Sequence, residues 1–128
     1  MYKVARLCEH NDSLEGKKGK ALRESEAIKL FTRAAELKNV QAQMKLAECY
    51  GNGRYVKKNK KQRFGWLLRA ANSGNMEAQE LIGECYEKGR GTQKNNPKAY
   101  NWYKKAAAQG SEYGKIKAKE FELFKFYK

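Results

Sequence analysis

Three cysteines, one histidine and a row of glutamates are the side chains of this 128-residue sequence best suited to act as nucleophile, metal ligand or proton carrier. Cys8 and His10 form the one close Cys/His pair, and an i, i+2 spacing points them to different sides of a helix. There is no C-x-x-C pair, so neither the ligand spacing of a zinc site nor a Cys/His nucleophile arrangement is present. The stretch Gly16-Lys17-Lys18-Gly19-Lys20 lacks the G-x-x-x-x-G-K-[ST] spacing of a phosphate-binding loop and reads as a flexible basic loop. Glu77, Glu80, Glu84 and Glu87 are spaced three, four and three residues apart, which puts them on one helical face. With no histidine beside them, these carboxylates read as a solvated or partner-facing surface. The expectation is a protein without catalysis, cofactor or metal.

The elements that carry these residues repeat. Val40 to Asn75 and Met76 to Ser111 align without a gap at an offset of 36 residues (76 − 40). Shared positions include Ala42/Ala78, Gln43/Gln79, Cys49/Cys85, Tyr50/Tyr86, Gly53/Gly89, Trp66/Trp102, Ala70-Ala71/Ala106-Ala107 and Gly74/Gly110. The phase continues upstream through Ala34-Ala35 and Asn39, so residues 1–39 read as a degenerate copy with extra residues between Glu9 and Arg23. Residues 112–128 read as a closing helix.

Each unit reads as two helices. From Met76, apolar or small residues at Ala78, Leu81, Ile82, Cys85 and Tyr86 form a stripe of 3.6-residue period, and Gly89 is placed to stop the helix in the left-handed conformation. Asn96 before Pro97 reads as the cap and first turn of a second helix, closed by Gly110. Ala47 and Gly83 allow close helix approach, while Trp66, Trp102, Tyr50 and Tyr86 read as packing residues. One repeat translation separates Cys49 from Cys85, roughly 9–10 Å by helix-packing distances, beyond the ~7 Å Cα reach of a disulfide. Free thiols are expected.

The run from Glu77-Ala78-Gln79 through Trp102-Tyr103-Lys104-Lys105-Ala106-Ala107-Ala108-Gln109-Gly110 resembles the Sel1-like repeat family almost throughout. The preceding copy departs from the pattern, with Ala47 for the first glycine, Tyr55 for the glycine after Gly53 and Leu67 for the tyrosine after tryptophan. The resemblance implies an all-α fold, a right-handed tetratricopeptide-like α-solenoid of about three and a half αα-hairpin repeats with residues 112–128 as a capping helix. A single domain spanning 1–128 follows, with adaptor or scaffold duties and no activity of its own. Some members are stapled by a disulfide within each repeat; this chain lacks the second cysteine per repeat, which fits a reducing compartment.

Charge narrows the partner. With 28 Lys+Arg against 14 Asp+Glu the formal net charge is +14, which biases the chain toward nucleic acid, an acidic protein surface or an anionic bilayer. The basic residues cluster between paired helices: Lys17, Lys18 and Lys20, then Lys57, Lys58, Lys60, Lys61 and Arg63, then Lys88, Arg90, Lys94 and Lys98. In a solenoid such loops emerge on one edge, so a basic ridge is expected. The family arrangement would turn Glu77, Glu80, Glu84 and Glu87, with Met44 and Glu48, into a concave groove that repels a phosphate backbone. A protein partner with an acidic rim is therefore favoured, bound by an adaptor, a regulator or an immunity-type inhibitor. The alternative is a nucleic-acid or anionic-surface binder using the lysine ridge.

At the C-terminal end, Ile116, Leu123, Phe124 and Tyr127 are expected to face the last repeat. Phe121 and Phe126 cannot both join them, so one or both are left exposed, either as the fraying aromatic end of a cap helix or as a contact for a partner or a homodimer. The N-terminus shows no apolar core of a signal peptide and there is no 18-residue apolar run, so a cytoplasmic protein without a transmembrane segment is the expectation.

Overall fold

The computed structural model describes residues 16–124, with side chains from residue 25 onward. Among the described residues there are six helices and no strand: α1 (Gly16–Glu36), α2 (Val40–Asn52), α3 (Lys60–Asn72), α4 (Met76–Lys88), α5 (Asn96–Ala108) and α6 (Glu112–Phe124). They fall into two compact units, Met1–Asn59 and Lys60–Lys128.

In the first unit α1 packs on α2. Lys17, Lys18 and Lys20 were expected in a loop, but their backbone opens α1; good helix formers around two glycines outweigh the glycine cost. Their side chains lie outside the described ones, as do Cys8, His10 and Phe126. Asn39 caps α2, its side-chain oxygen accepting from Ala42 N at 2.9 Å, and Gly53 ends it at φ 74°. The core is Ala27, Phe31, Ala34 and Ala35 from α1 against Ala42, Leu46 and Cys49 from α2. Gln43 is buried among them because its amide donates to Ala35 O at 3.0 Å, a second bond to a carbonyl at the end of α1 that also accepts from Lys38 N.

The second unit stacks α3, α4, α5 and α6 in sequence order, each packing on the next. Asn75 repeats the cap of Asn39, accepting from Ala78 N at 2.8 Å, and Gln79 repeats the reach of Gln43, donating to Ala71 O at 3.2 Å. The second helix of this repeat starts one residue earlier than the sequence suggested. Asn95, not Asn96, is the cap, and Pro97 sits in the first turn, where its missing N–H costs nothing.

The centre of the second unit is Tyr103, fully buried. Gly83 makes room for it: a Cβ at that position would lie 2.7 Å from the ring. Phe121 stacks on the same ring at 5.8 Å between centroids, and Tyr113 meets it edge-on at 5.9 Å. Trp102, its neighbour in sequence, is only partly buried and carries the Lys105 ammonium 4.3 Å from its ring centroid.

Candidate functional site

Three surfaces bear on function: the glutamate face of α4, the basic loops, and the outer face of α6. The glutamate face is not open. Glu80 accepts from the hydroxyl of Ser111, Glu84 from the hydroxyl of Tyr113 at 2.7 Å, and Glu87 from both Tyr103 OH at 2.7 Å and Lys117 Nζ at 2.9 Å. Three of the four carboxylates are half-buried under α6, and only Glu77 is exposed. They clamp the terminal helix. Burial, followed by the bond to Glu87, holds the Tyr103 phenol far above its ordinary range, and burial with Glu84 raises that of Tyr113. Burial disfavours the charge of Lys117, but Glu87 more than offsets this and its pKa is raised. In the first unit Met44 is half-buried and Glu48 exposed, with Met44 and Glu48 at the places of Glu80 and Glu84.

The sequence-based reading missed the donors Ser111, Tyr103, Tyr113 and Lys117. A signal was present: Tyr113 and Lys117 stand i, i+4 on the helix that follows, at the spacing needed to meet Glu84 and Glu87.

The basic loops are open. In the first unit Lys57 and Lys58 are exposed, on the loop closed by the bond from Asn59 N to Tyr50 O at 3.0 Å. In the second, Lys60 and Lys61 start α3, and Arg90 and Lys94 lie on the loop between α4 and α5; all four are exposed. This loop is pinned to the start of α3 at Gly91, which has φ +76°, a left-handed backbone. A Cβ there would collide with Lys60 O and touch Phe64, so only glycine permits the approach. None of Lys57, Lys58, Lys60, Lys61, Arg90 and Lys94 makes an ion pair with an acidic side chain among the described residues, whereas Lys115 and Lys117 on α6 both do. Arg63 departs from the expected ridge. It is half-buried, its Nη1 donating to Cys85 Sγ at 3.6 Å. Burial raises the Cys85 thiol, and the nearby Arg63 only partly opposes it. Cys49 and Cys85 are both buried free thiols.

On α6 the expected faces are exchanged. Phe121, one of two aromatics of which at least one was expected to be exposed, is 1% exposed, whereas Ile116, Leu123 and Phe124, expected to pack inward, are 57%, 69% and 65% exposed. The buried stripe is Gly114, Ala118 and Phe121. Small residues decide it: a Cβ on Gly114 would lie 2.8 Å from Tyr103 O, so the helix rests with its least bulky side on α5 and one large side chain completes the contact.

Among the described residues no three His, Cys, Asp or Glu side chains are grouped to hold a metal ion, and no helix is long and apolar enough to cross a membrane.

Comparison with known proteins places these hairpins. Residues 1–39, 40–75 and 77–111 each match the Sel1 repeat. A solved Sel1 repeat protein from Oxalobacter formigenes is 36% identical with a TM-score of 0.77, covering 93% of this chain and 85% of its own. The structure of c5321, a protective antigen of uropathogenic Escherichia coli strains displaying an SLR fold, is 24% identical with a TM-score of 0.66 over 89% of this chain and 27% of that one. Cysteine rich protein B of Helicobacter pylori is 22% identical with a TM-score of 0.67, covering 88% and 90%. No match was found among curated proteins. Sel1 repeat proteins are generally non-catalytic protein-interaction modules. With three matched repeats and an all-α solenoid fold shared with solved relatives, the chain belongs to the Sel1 repeat family.

Proposed function

We propose that this chain is a stoichiometric binder of a protein partner with an acidic surface, acting as an adaptor, a regulator or an immunity-type inhibitor, and that the basic loops make the first contact. The observation that carries this reading is the contrast in charge use. The carboxylates of α4 are spent on α6, while Lys57, Lys58, Lys60, Lys61, Arg90 and Lys94 stand exposed and without an acidic partner among the described residues. Exposed cations of this kind steer an acidic partner and set register. A loop pinned by Gly91 presents its share of them with little ordering left to do on binding. Of the groove set, Glu77 and Glu48 remain exposed and can take part in the same contact.

Charge reversal tests this. Lys57, Lys58, Lys60 and Lys61 changed together to Glu should lower the association rate with the captured protein partner by about tenfold or more at low salt, with a smaller effect at high salt. Labelled single-stranded and duplex nucleic acids serve as the competing probe. Binding to either with a steep log–log salt slope, lost on lysine reversal and unaffected by Glu48 and Glu77 reversal, would establish the nucleic-acid reading instead.

A further inference from the structure

The charge of the second unit is sorted by helix position. Glu77 and Glu112 stand in the first turns of α4 and α6, where the positive end of the helix dipole favours an acid. The first turns of α3 and α5 hold none, and α3 opens instead on Lys60 and Lys61. From Cys49 to Met76 and from Lys88 to Ser111 the sequence contains no Asp or Glu at all. Lysines at the positive end of a helix weaken it. The carboxylates of α4 give no relief, because Glu80, Glu84 and Glu87 are bonded to Ser111, Tyr113, Tyr103 and Lys117.

The fold then brings more positive charge to the same place. Gly91 lies against Lys60 O, which sets Arg90 beside the start of α3. A Cβ on Gly89 would lie 3.7 Å from Lys94 Cβ, so the same loop folds Lys94 back onto the end of α4. Lys60, Lys61, Arg90 and Lys94 thus surround one junction. All of them are exposed, and none of their side chains makes a hydrogen bond or ion pair among the described residues. A helix start that breaks the charge rule inside a cluster of cations is a local cost that folding alone does not explain.

We infer that this junction seats a run of acidic residues of the protein partner, and that its carboxylates relieve a repulsion the free chain carries. The inference rests on the acidic-partner reading above and narrows it: Lys57 and Lys58 steer, whereas Lys60, Lys61, Arg90 and Lys94 hold. Carboxylates are the anions a protein offers, and Sel1 repeat proteins are generally protein-interaction modules. A run is needed rather than a single acid, because the cations come from two separate segments and one carboxylate leaves most of them unpaired. Gly91 fixes those segments against each other before binding, so the partner meets a formed site.

The probe is a peptide of six consecutive glutamates between Gly-Ser flanks, set against a counterpart with glutamine at every glutamate. Wild-type protein should bind the acidic peptide with amide shifts centred on Lys60–Phe64 and Arg90–Lys94, and the glutamine peptide about tenfold or more weaker. Lys60→Gln with Lys61→Gln should act in two opposite directions. The melting temperature of the free protein should rise by roughly 2–6 °C at low salt, while affinity for the acidic peptide falls about tenfold or more. Arg90→Gln with Lys94→Gln should weaken the peptide likewise. A melting temperature unchanged or lowered in the Lys60, Lys61 variant, or shifts centred away from the junction, would overturn the assignment. An oligonucleotide of equal charge bound tenfold tighter than the peptide, with the same shifts, would give the site to phosphates instead. A captured partner slowed by reversal of Lys57 and Lys58 but indifferent to reversal of Lys60 and Lys61 would sink this seat and leave the broader acidic-partner reading standing. Indifference to both pairs would sink the two together.

Discussion

Helices α2 and α4 begin 36 residues apart and share an asparagine cap, a left-handed glycine stop, a buried thiol and a glutamine that reaches back to the preceding helix, yet their surroundings are completed differently. Gln79 is fully used, its oxygen accepting from Gln109 Nε2 at 2.8 Å, whereas Gln43 Oε1 has no partner among the described residues. The residue equivalent to Gln109 is Ser73, whose short side chain donates to Arg69 O instead. Likewise the centre of the later repeat is Tyr103, bonded to Glu87, where the earlier one has Leu67, also buried but with nothing to bond. Caps and reach-back bonds set the backbone frame; what fills it is free to be polar or apolar, provided volume and hydrogen bonds are met locally.

The strongest way to break the comparison is at Tyr103. Tyr103→Ala should cost about 3–5 kcal/mol, since it leaves a cavity beneath Gly83 and Phe121 and takes the donor from Glu87 Oε1. Trp102→Ala, at a half-buried ring, should cost roughly half as much by the same measure. Denaturant melts of both variants check the order; a larger loss for Trp102 would show that the centre is misplaced.

High pH separates the repeats next. The Tyr103 phenol is raised above its unfolded value of 10.0, and Lys117 above 10.5, so both contribute stability that is present below about pH 10 and lost as pH rises beyond it. One repeat length before them stand Leu67 and Leu81, neither of which titrates. Melting temperature should fall steeply above pH 10, and Tyr103→Phe should flatten the fall. An unchanged slope in Tyr103→Phe would remove this residue as its source.

The smallest effect lies in the glutamines. Gln79→Leu removes two bonds, one to Ala71 O and one from Gln109 Nε2, each of which keeps a second partner at Gly74, and should cost about 1–3 kcal/mol, while Gln43→Leu removes one bond and an oxygen that already lacks a partner and should cost about 1 kcal/mol less. Equal losses in thermal melts would mean that Gln43 Oε1 is satisfied after all.

Much of the frame was legible because a fixed period ties each cap and stop to its counterpart: Gly89 is left-handed where the sequence placed a helix stop, and Cys49 and Cys85 are free thiols. What escaped was direction around a helix. On α6 large apolar residues lie on every side, so periodicity alone could not choose among Ile116, Phe121, Leu123 and Phe124; Gly114 and Ala118 chose, by permitting close approach. The glutamates of α4 form one face as their spacing required, but spacing cannot tell water from a neighbouring helix. The donors that answered the question sit 16 to 31 residues further on.

The bonds from α4 to Ser111, Tyr113 and Lys117 make the tandem order part of the code. If the segments 40–75 and 76–111 were transposed, Met44, Glu48 and Gly51 would stand where Glu80, Glu84 and Glu87 now stand. Tyr113 would still find a carboxylate, but Asn75 would replace Ser111 and stand against a thioether, and Lys117 would lose its bond to Glu87 and keep only its pair with Glu120. Though alike in outline, the two modules are not interchangeable, and a permuted gene would encode a protein whose last helix is held by its apolar side and a single tyrosine hydroxyl.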